Sequence, residues 1–200
     1  MLSAVILAAG ESRRMGSPKA LLPDPDGRAF IARIVRTLSD AGLADVLVVT
    51  GAHHDAIASA LASDGLGEHV QLVPNSDPSR GQLSSIWAAL DATPPNANAL
   101  LMTLVDVPMV TSATVRAVID TWMSTRAPVV RPIVDGRRGH PVIFDRRLFA
   151  ELRSAPLDGG ARVVVRAHWG ESIDVPVNDR GSVIDVDTPG DYQQLTERLR

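Results

Sequence analysis

The sequence contains no cysteine, so disulfide bonds and thiolate chemistry are excluded. It has no apolar run near the roughly 18 residues that a membrane-spanning helix needs, and its first residues lack the basic start of a signal peptide. The net charge of −3 provides no basic excess to bind a polyanion such as DNA. We therefore expect a cytoplasmic protein whose partners include neither a membrane nor a nucleic acid.

Lysine is almost missing as well. Lys19 is the only lysine among 20 basic residues, and it lies in a glycine-containing loop. The ammonium group of lysine is a compact charge with three hydrogen-bond donors, and it binds phosphate differently from the planar guanidinium of arginine. The position of this single lysine therefore suggests a phosphate-binding loop.

The 200 residues are 45% hydrophobic and 22% charged, which is typical of a soluble globular protein. Apolar runs of strand length alternate with segments of helical spacing up to residue 123. The predicted strands cover 3–7, 46–51, 70–74 and 99–105. Helices are predicted over 30–38, from 57 to near Gly65, over 112–123, and in 81–90 after a short loop. This alternation predicts an α/β fold with right-handed crossovers and an open, mostly parallel sheet.

The remainder of the chain breaks the alternation. Two apolar runs at 129–134 and 140–144 flank a five-residue turn and predict a hairpin. We also expect a helix at 158–168, short strands at 172–177 and 182–186, and a last helix that begins at Thr188-Pro189. No repeat or long linker divides the chain, so we predict a single domain over residues 1–200.

The loop from Leu7 to Lys19 follows the first predicted strand, where open α/β sheets bind ligands. Gly10 and Gly16 allow backbone amides to approach an anion closely, and Arg14 and Lys19 supply positive charge. The spacing matches neither a Walker A loop nor the dinucleotide-binding fingerprint. The alternative is an ordinary βα loop whose basic residues lie in solvent.

Two aspartates each follow a predicted strand. Asp106 ends the most apolar strand, which places it at the ligand-binding edge of an α/β sheet, and Asp187 ends the last predicted strand. Mg²⁺ prefers one or two carboxylates together with phosphate oxygens and water. The alternative for Asp106 is a turn aspartate. Asp187 by itself is typical of a helix N-cap, and one carboxylate can also serve both roles with different oxygens.

Two further polar segments are weaker candidates. One surrounds the start of a predicted helix, whose free N–H groups suit an anion or a base edge, although a capped helix is the simpler interpretation. Its residues are Asn75, Gly81, Gln82 and Ser85. The other is the tip of the predicted hairpin, which is exposed by default and contains Arg137, Arg138 and His140.

The motif Leu-Ala-Ala-Gly-x-Ser-x-Arg-Met-Gly-x-Pro-Lys, which ends at Lys19, resembles the signature loop of the MobA-like nucleotidyltransferases. The resemblance runs from Leu2 to Tyr192 and is nearest to the molybdenum cofactor cytidylyltransferase branch. It implies a three-layer, Rossmann-like domain of the GT-A type, with a mostly parallel sheet and a C-terminal hairpin addition. It also implies transfer of a nucleoside monophosphate from an NTP to an acceptor, with release of pyrophosphate.

The same resemblance assigns roles to individual residues. Nucleotide contacts fall on Leu7, Ala8, Ala9, Gly10, Arg14, Gly16, Lys19, Asn75, Gly81, Gln82 and Ser85. Arg14, Lys19 and Asp106 are expected to be catalytic, and Asp106 and Asp187 to hold Mg²⁺. The acceptor-facing residues are expected to be Arg137, Arg138 and His140. Because the methyl group of Ala9 takes space from a purine, where related guanylyltransferases typically have glycine, we expect CTP to be preferred over GTP.

The acceptor implied by the resemblance is the phosphate of molybdopterin or of its molybdenum-loaded form, with a transient contact to a molybdoenzyme. Three alternatives stay open. The acceptor could be a sugar phosphate or a phospholactate instead. The chain could also be a non-catalytic, nucleotide-binding accessory protein of a molybdoenzyme, or a binding module that has lost turnover.

Overall fold

The computed structural model describes residues 1–198, and the strands of this part of the chain form one sheet of eight. The strands are β1 Leu2–Ala8, β2 Val46–Thr50, β3 Val70–Pro74, β4 Ala99–Leu104, β5 Val129–Val134, β6 Arg137–Arg138, β7 Val142–Asp145 and β8 Ile173–Pro176. Their order is β3-β2-β1-β4-β7-β5-β6, and β8 pairs with β5. The first four strands are mutually parallel, so their carboxyl ends meet at one edge of the sheet.

Helices cover both faces of this sheet. They are α1 Phe30–Asp40, α2 His54–Ser63, α3 Gln82–Ala92, α4 Ser112–Thr125, α5 Phe149–Ser154, α6 Ala161–Ala167 and α7 Pro189–Arg198. Helices α1, α2 and α4 pack on one face of the sheet, and α3, α5 and α6 pack on the other. The three-layer α/β architecture predicted from the sequence is thus confirmed. Among residues 1–198, no helix has the length and apolar character that crossing a membrane requires.

Strand β1 shows why the apolar runs became central strands. Ala4 and Ile6 pack into the core on one face, and Val5 and Leu7 pack into the core on the other. Successive side chains of a strand point to opposite faces, so a strand covered on both sides must be apolar throughout. This arrangement holds the loop after β1 on a rigid support.

The predicted hairpin differs from the observed one in its turn. The turn is two residues long, not five: Asp135 and Gly136 both have positive φ, at 49° and 77°, and join Val134 directly to its partner Arg137. This combination suits a type I′ turn, which matches the twist of paired strands. The chain leaves β6 after Arg138 and returns as β7, which lies between β4 and β5 within the sheet.

The strand predicted at 182–186 is wrong. The segment Arg180–Val183 forms a 3₁₀ turn, and the residues after it belong to no strand. Two isolated hydrogen bonds tie this stretch to neighbouring loops: His140 N–H donates to Ser182 O at 2.8 Å, and Val186 N–H donates to Asp106 O at 2.8 Å. The stretch is therefore tied to its neighbours by single hydrogen bonds and not by a strand ladder. The predicted helix at 158–168 is shorter than expected, since α6 begins only after Gly160.

Candidate functional site

A cavity of about 340 Å³ lies at the carboxyl ends of β1 and β4. Four stretches of chain meet there: the loop after β1, the start of α3, the end of β4, and the residue before Thr188. The lining residues are Leu7, Ala9, Gly10, Ser12, Arg13, Arg14, Lys19, Pro78, Gly81, Gln82, Ser85, Leu104, Val105, Asp106 and Asp187. Most of the residues predicted to contact a nucleotide therefore come together at one place.

Ser12 organises the loop after β1. Its carbonyl accepts from the N–H groups of Met15, at 2.9 Å, and Gly16, at 3.2 Å. Its hydroxyl accepts from the N–H of Lys19 at 3.0 Å. Met15 is buried in a small cluster with Phe30, which anchors the loop to the body of the fold. Sequence reasoning did not single out Ser12, although the serine is part of the loop motif.

Lys19 joins two carboxylates that are distant in the sequence. Its Nζ donates to Asp106 Oδ2 at 3.1 Å and also to Asp187 Oδ1. Arg14 Nη2 donates to the other oxygen of Asp187, Oδ2, at 2.9 Å. The hydrogen bond from Lys19, together with the charges of Lys19 and Arg14, holds the pKa of Asp187 below its usual range. The site therefore contains two cations and two anions in direct contact.

The hydrogen bonds also decide between the two roles considered for Asp187. Helix α7 is capped by Thr188 and Asp191: the hydroxyl of Thr188 accepts from Asp191 N–H, and Asp191 Oδ2 accepts from Thr188 N–H. Both carboxylate oxygens of Asp187 face Lys19 and Arg14 instead. The helix-cap alternative for the Asp187 side chain is therefore wrong.

The residues present fit a divalent cation that is brought in with a polyphosphate. Asp106 Oδ1 is buried and has no hydrogen-bond partner among the described residues. No group of three or more His, Cys, Asp or Glu side chains in that part of the chain could hold a metal ion. Two carboxylates alone leave an incomplete coordination shell, which phosphate oxygens and water complete in typical Mg²⁺ sites.

Asp185 adds a third carboxylate to this region. Partial desolvation, together with the charges of Asp106 and Asp187, raises its pKa. It does not line the cavity. Its contribution is to strengthen the negative potential around Asp106 and Asp187.

Three of the predicted nucleotide-contacting residues lie outside the cavity wall. Ala8 is buried in β1, and Gly16 is exposed behind the loop. Asn75 uses its side-chain amide to donate to the hydroxyls of Ser84, at 2.9 Å, and Ser85, at 3.0 Å. Asn75 therefore braces the start of α3, and a direct contact between these three residues and a nucleotide remains a prediction.

Gly51 is a site residue that sequence reasoning missed. It follows β2, and a Cβ at this position would lie 2.5 Å from the carbonyl oxygen of Ala9. Only glycine lets the end of β2 approach the loop this closely. The sequence feature that could have indicated its role is a glycine directly after a buried strand.

A second cavity, of about 310 Å³, adjoins the first and shares Gln82 and Leu104 with it. Its other lining residues are Met102, Arg131, Arg138, Gly139, His140, Val142, Phe144, Ala161, Arg162, Val165, Arg166 and Trp169. Of the three predicted acceptor-facing residues, Arg138 and His140 line it. Arg137 does not, since it donates to Val183 O at 2.8 Å on the outer side of the hairpin.

Arg138 is held in place by two neighbours in this second cavity. Its Nε donates to Asp174 at 2.8 Å, and its guanidinium lies 4.1 Å from the ring centre of Trp169. His140 is half-buried, and burial lowers its pKa, so it is neutral near pH 7. Sequence reasoning missed four residues of this wall: Arg131, Arg162, Arg166 and Trp169. The spacing of Arg162 and Arg166 was the one available signal, because it puts both on one helix face.

The chain was compared with protein-family profiles and with characterised proteins. The profile of the MobA-like NTP transferase domain matches residues 4–173. The nicotine blue oxidoreductase of Paenarthrobacter nicotinovorans is 33% identical over 195 residues, covering 94% of this chain and 92% of that protein. The molybdenum cofactor cytidylyltransferase of Escherichia coli strain K12 is 24% identical over 197 residues, covering 98% of this chain and 96% of that protein.

Solved structures agree with this fold. Rv0371c from Mycobacterium tuberculosis H37Rv superposes with a TM-score of 0.83 at 29% identity, covering 98% of this chain and 97% of that chain. The same protein has also been solved in complex with manganese, where the TM-score is 0.74 with the same coverage of both chains.

Proposed function

The chain belongs to the family of MobA-like NTP transferase domains, and on this premise we propose that it transfers CMP from CTP to a phosphate-bearing acceptor with release of pyrophosphate. The acceptor we propose is the phosphate of molybdopterin or of its molybdenum-loaded form. The reaction uses one nucleotidyltransferase domain over residues 1–200. Since CTP is a cytoplasmic metabolite, we place the activity in the cytoplasm, with transient contact to a molybdoenzyme.

One observation carries this proposal: Lys19 lies between Asp106 and Asp187, with Arg14 on the far side of Asp187. A triphosphate needs fixed cations, and the divalent metal that accompanies it needs carboxylates. The cavity supplies both sets in contact with each other. The phosphates of a bound nucleotide offer Lys19 and Arg14 an alternative set of anionic partners, and Asp106 and Asp187 would then be available to hold Mg²⁺.

The main contribution of the protein to this reaction is to position the two substrates. A phosphate oxygen of the acceptor attacks the α-phosphorus of CTP in line, the bond from that phosphorus to its bridging oxygen breaks, and pyrophosphate leaves with the electron pair. An acceptor phosphate is largely ionised at neutral pH, since its second pKa is about 6. No general base is therefore needed. Lys19 and Arg14 offset the negative charge and hold the reacting groups in line.

Mg²⁺ would be held by Asp106 and Asp187. Bound there, it supplies charge neutralisation to the phosphate oxygens. The unpartnered Oδ1 of Asp106 supports this assignment, because a buried carboxylate oxygen without a donor favours a cation.

The preference for cytosine rests on Ala9. Ala9 lines the cavity although it is only 5% exposed and packs against the core, and the close approach of Gly51 to its carbonyl limits movement of the loop backbone at this point. The space beside the methyl group is therefore fixed, and it suits a single ring better than a purine. One methyl group in a pocket discriminates by about 1–3 kcal/mol, so some turnover of other NTPs is expected.

A second candidate activity comes from one comparison. Identity to the nicotine blue oxidoreductase, at 33%, exceeds identity to the cytidylyltransferase, at 24%. In that case the first cavity would hold the reductant. The second cavity, with Trp169 in its wall, would hold a flat dye.

Pyrophosphate release tests the proposal. The purified protein is assayed with Mg²⁺, each of the four NTPs, and molybdopterin, a sugar phosphate or a phospholactate, beside Asp106→Asn as the matched control. We expect release with CTP and molybdopterin in the wild type and none in the variant. Nucleotide binding without release from any acceptor would instead indicate an accessory protein. Bleaching of nicotine blue with NADH, in the absence of pyrophosphate release, would favour the second candidate.

A further inference from the structure

The second cavity is lined by four arginines and by no acidic residue. Arg131 lies in β5 and Arg138 in β6, while Arg162 and Arg166 are one turn apart on α6. Behind the wall, Asp174 accepts from Arg131 Nε at 2.8 Å and from Arg138 Nε at 2.8 Å. Within residues 1–198, no carboxylate lies in ion-pair distance of Arg162 or Arg166. One carboxylate therefore pairs with two of the four guanidinium groups, and the cavity has a clear positive excess.

Two of these arginines are fixed in advance of any ligand. Arg131 is only 8% exposed, and its guanidinium lies 5.2 Å from the ring centre of Trp169, on which Arg138 also stacks. Asp174 orients both guanidinium groups by accepting a hydrogen bond from the Nε of each. Arg131 is buried and Arg138 is exposed, but both guanidinium groups are held in fixed orientations, which suits the recognition of an anion.

The other two arginines are separate from the nucleotide cavity. Gln82 and Leu104 line both cavities, so the reacting phosphate of an acceptor must lie near them to reach the α-phosphorus. All four arginines line the second cavity and not the first, but Arg131 and Arg138 are already engaged by Asp174. Arg162 and Arg166 are exposed on α6, and neither makes an ion pair with another residue of 1–198. They are thus placed for a different part of the acceptor from the part that reacts.

We propose that the second cavity selects acceptors that carry a further anionic group besides the reacting phosphate, and that Arg162 and Arg166 bind this group. The proposal rests on the proposed function, because it takes the second cavity as the acceptor site. A carboxylate or an anionic molybdenum–dithiolate meets the requirement. A sugar phosphate whose remaining substituents are neutral does not.

Binding is tested without turnover, by isothermal titration calorimetry on the full chain. The probes are phosphonoalkanoates of increasing chain length, which carry two anionic groups, and alkylphosphonates of the same lengths, which carry one. We expect the best phosphonoalkanoate to bind about tenfold more tightly than its alkyl counterpart, since a charge-assisted hydrogen-bonded pair is gained. In Arg162→Gln/Arg166→Gln this preference should disappear.

The matched control is Arg153→Gln/Arg180→Gln, which removes the same charge from residues that line neither cavity. It should keep the preference. Unchanged CTP affinity shows that each variant is folded, and the two single variants replace the double one if it is not. The proposal is overturned if no phosphonoalkanoate binds more tightly than its alkyl match, or if Arg162→Gln/Arg166→Gln retains the preference. If the proposed function itself is wrong, the result is different: no NTP gives pyrophosphate release, regardless of how the phosphonate probes bind.

Discussion

Replacing Lys19 by alanine should raise the affinity of the nucleotide-free protein for a divalent cation and, at the same time, abolish turnover. The ammonium group occupies both carboxylates on which the metal depends, at 3.1 Å from Asp106 Oδ2 and in direct contact with Asp187 Oδ1. A metal ion that arrives without a nucleotide must compete with this cation. Removing the ammonium group leaves two anions without a partner and opens the site.

The expected increase in metal affinity can be estimated from the distances between the charged groups. Two unit charges about 4 Å apart interact by about 4 kcal/mol at an effective dielectric constant of 20. The side chains of Asp106 and Asp187 are 25% and 34% exposed, so water screens a large part of this energy. We expect about 1.4–2.8 kcal/mol to remain, which is about a ten- to hundredfold decrease in Kd.

Titration with Mn²⁺, followed by electron paramagnetic resonance without nucleotide, measures the metal affinity. Pyrophosphate release with CTP measures turnover. Lys19→Arg is the matched control: it keeps the positive charge, so its metal affinity should stay near that of the wild type, while its larger planar head group impairs turnover. Unchanged or weaker Mn²⁺ binding by Lys19→Ala would refute the competition between ammonium and metal.

Further expectations concern Asp187, Gly51 and the base. Asp187→Asn should lower the thermal unfolding temperature near pH 7 only by the contribution of its ion pairs with Lys19 and Arg14, because neighbouring side chains cap α7, and it should lower the rate of pyrophosphate release more than tenfold. The lowered pKa of Asp187 stabilises the fold above about pH 4, its unfolded value, and this contribution is lost as the pH falls through the lower folded value. Urea unfolding between pH 2 and 6 should therefore show a smaller acid loss in Asp187→Asn than in the wild type. Gly51→Ala forces its Cβ against the Ala9 carbonyl and should cost about 1–3 kcal/mol of stability and raise the KM for CTP, whereas Gly170→Ala, which meets no atom within 4 Å, should change neither. The ratio of kcat/KM for CTP and GTP should be about 10–200, and a preference for GTP would contradict the role given to Ala9.

Much of the fold was predictable because apolar runs of strand length are a direct consequence of burial on both faces. The runs that became β1 and β4 are of this kind, and Asp106 follows β4 as the pattern requires. The segment 182–186 has a similar local pattern but no neighbouring strand to pair with. Periodicity records which side chains are buried and does not record whether a ladder partner is available. The turn at Asp135-Gly136 was overlooked because its strand partner is interrupted after two residues.

The site was predictable where a motif lies within one loop. Lys19, Arg14 and Gly10 follow one another in the sequence, and the structure places them together. The contact of Lys19 with Asp106 and Asp187 joins residues 87 and 168 positions apart, so no local pattern reveals its geometry. Trp169 and Arg131 were not predicted for the same reason: their contact joins residues that are far apart in the sequence, and neither lies in a local motif.

The short stretch from Ser182 to Asp187 has a consequence for how the two cavities communicate. At one end it accepts the N–H of His140, in the wall of the second cavity, and at the other it delivers Asp187 to the first. A Cβ on Gly139 would lie 2.1 Å from Ser182 O, so the backbone of this stretch packs directly against the backbone of the hairpin. A ligand that displaced the hairpin would therefore act on the same short segment that carries Asp187. If it shifted Asp187, binding at the two cavities would be coupled, and thermodynamic linkage requires that each ligand then change the affinity of the other by the same factor.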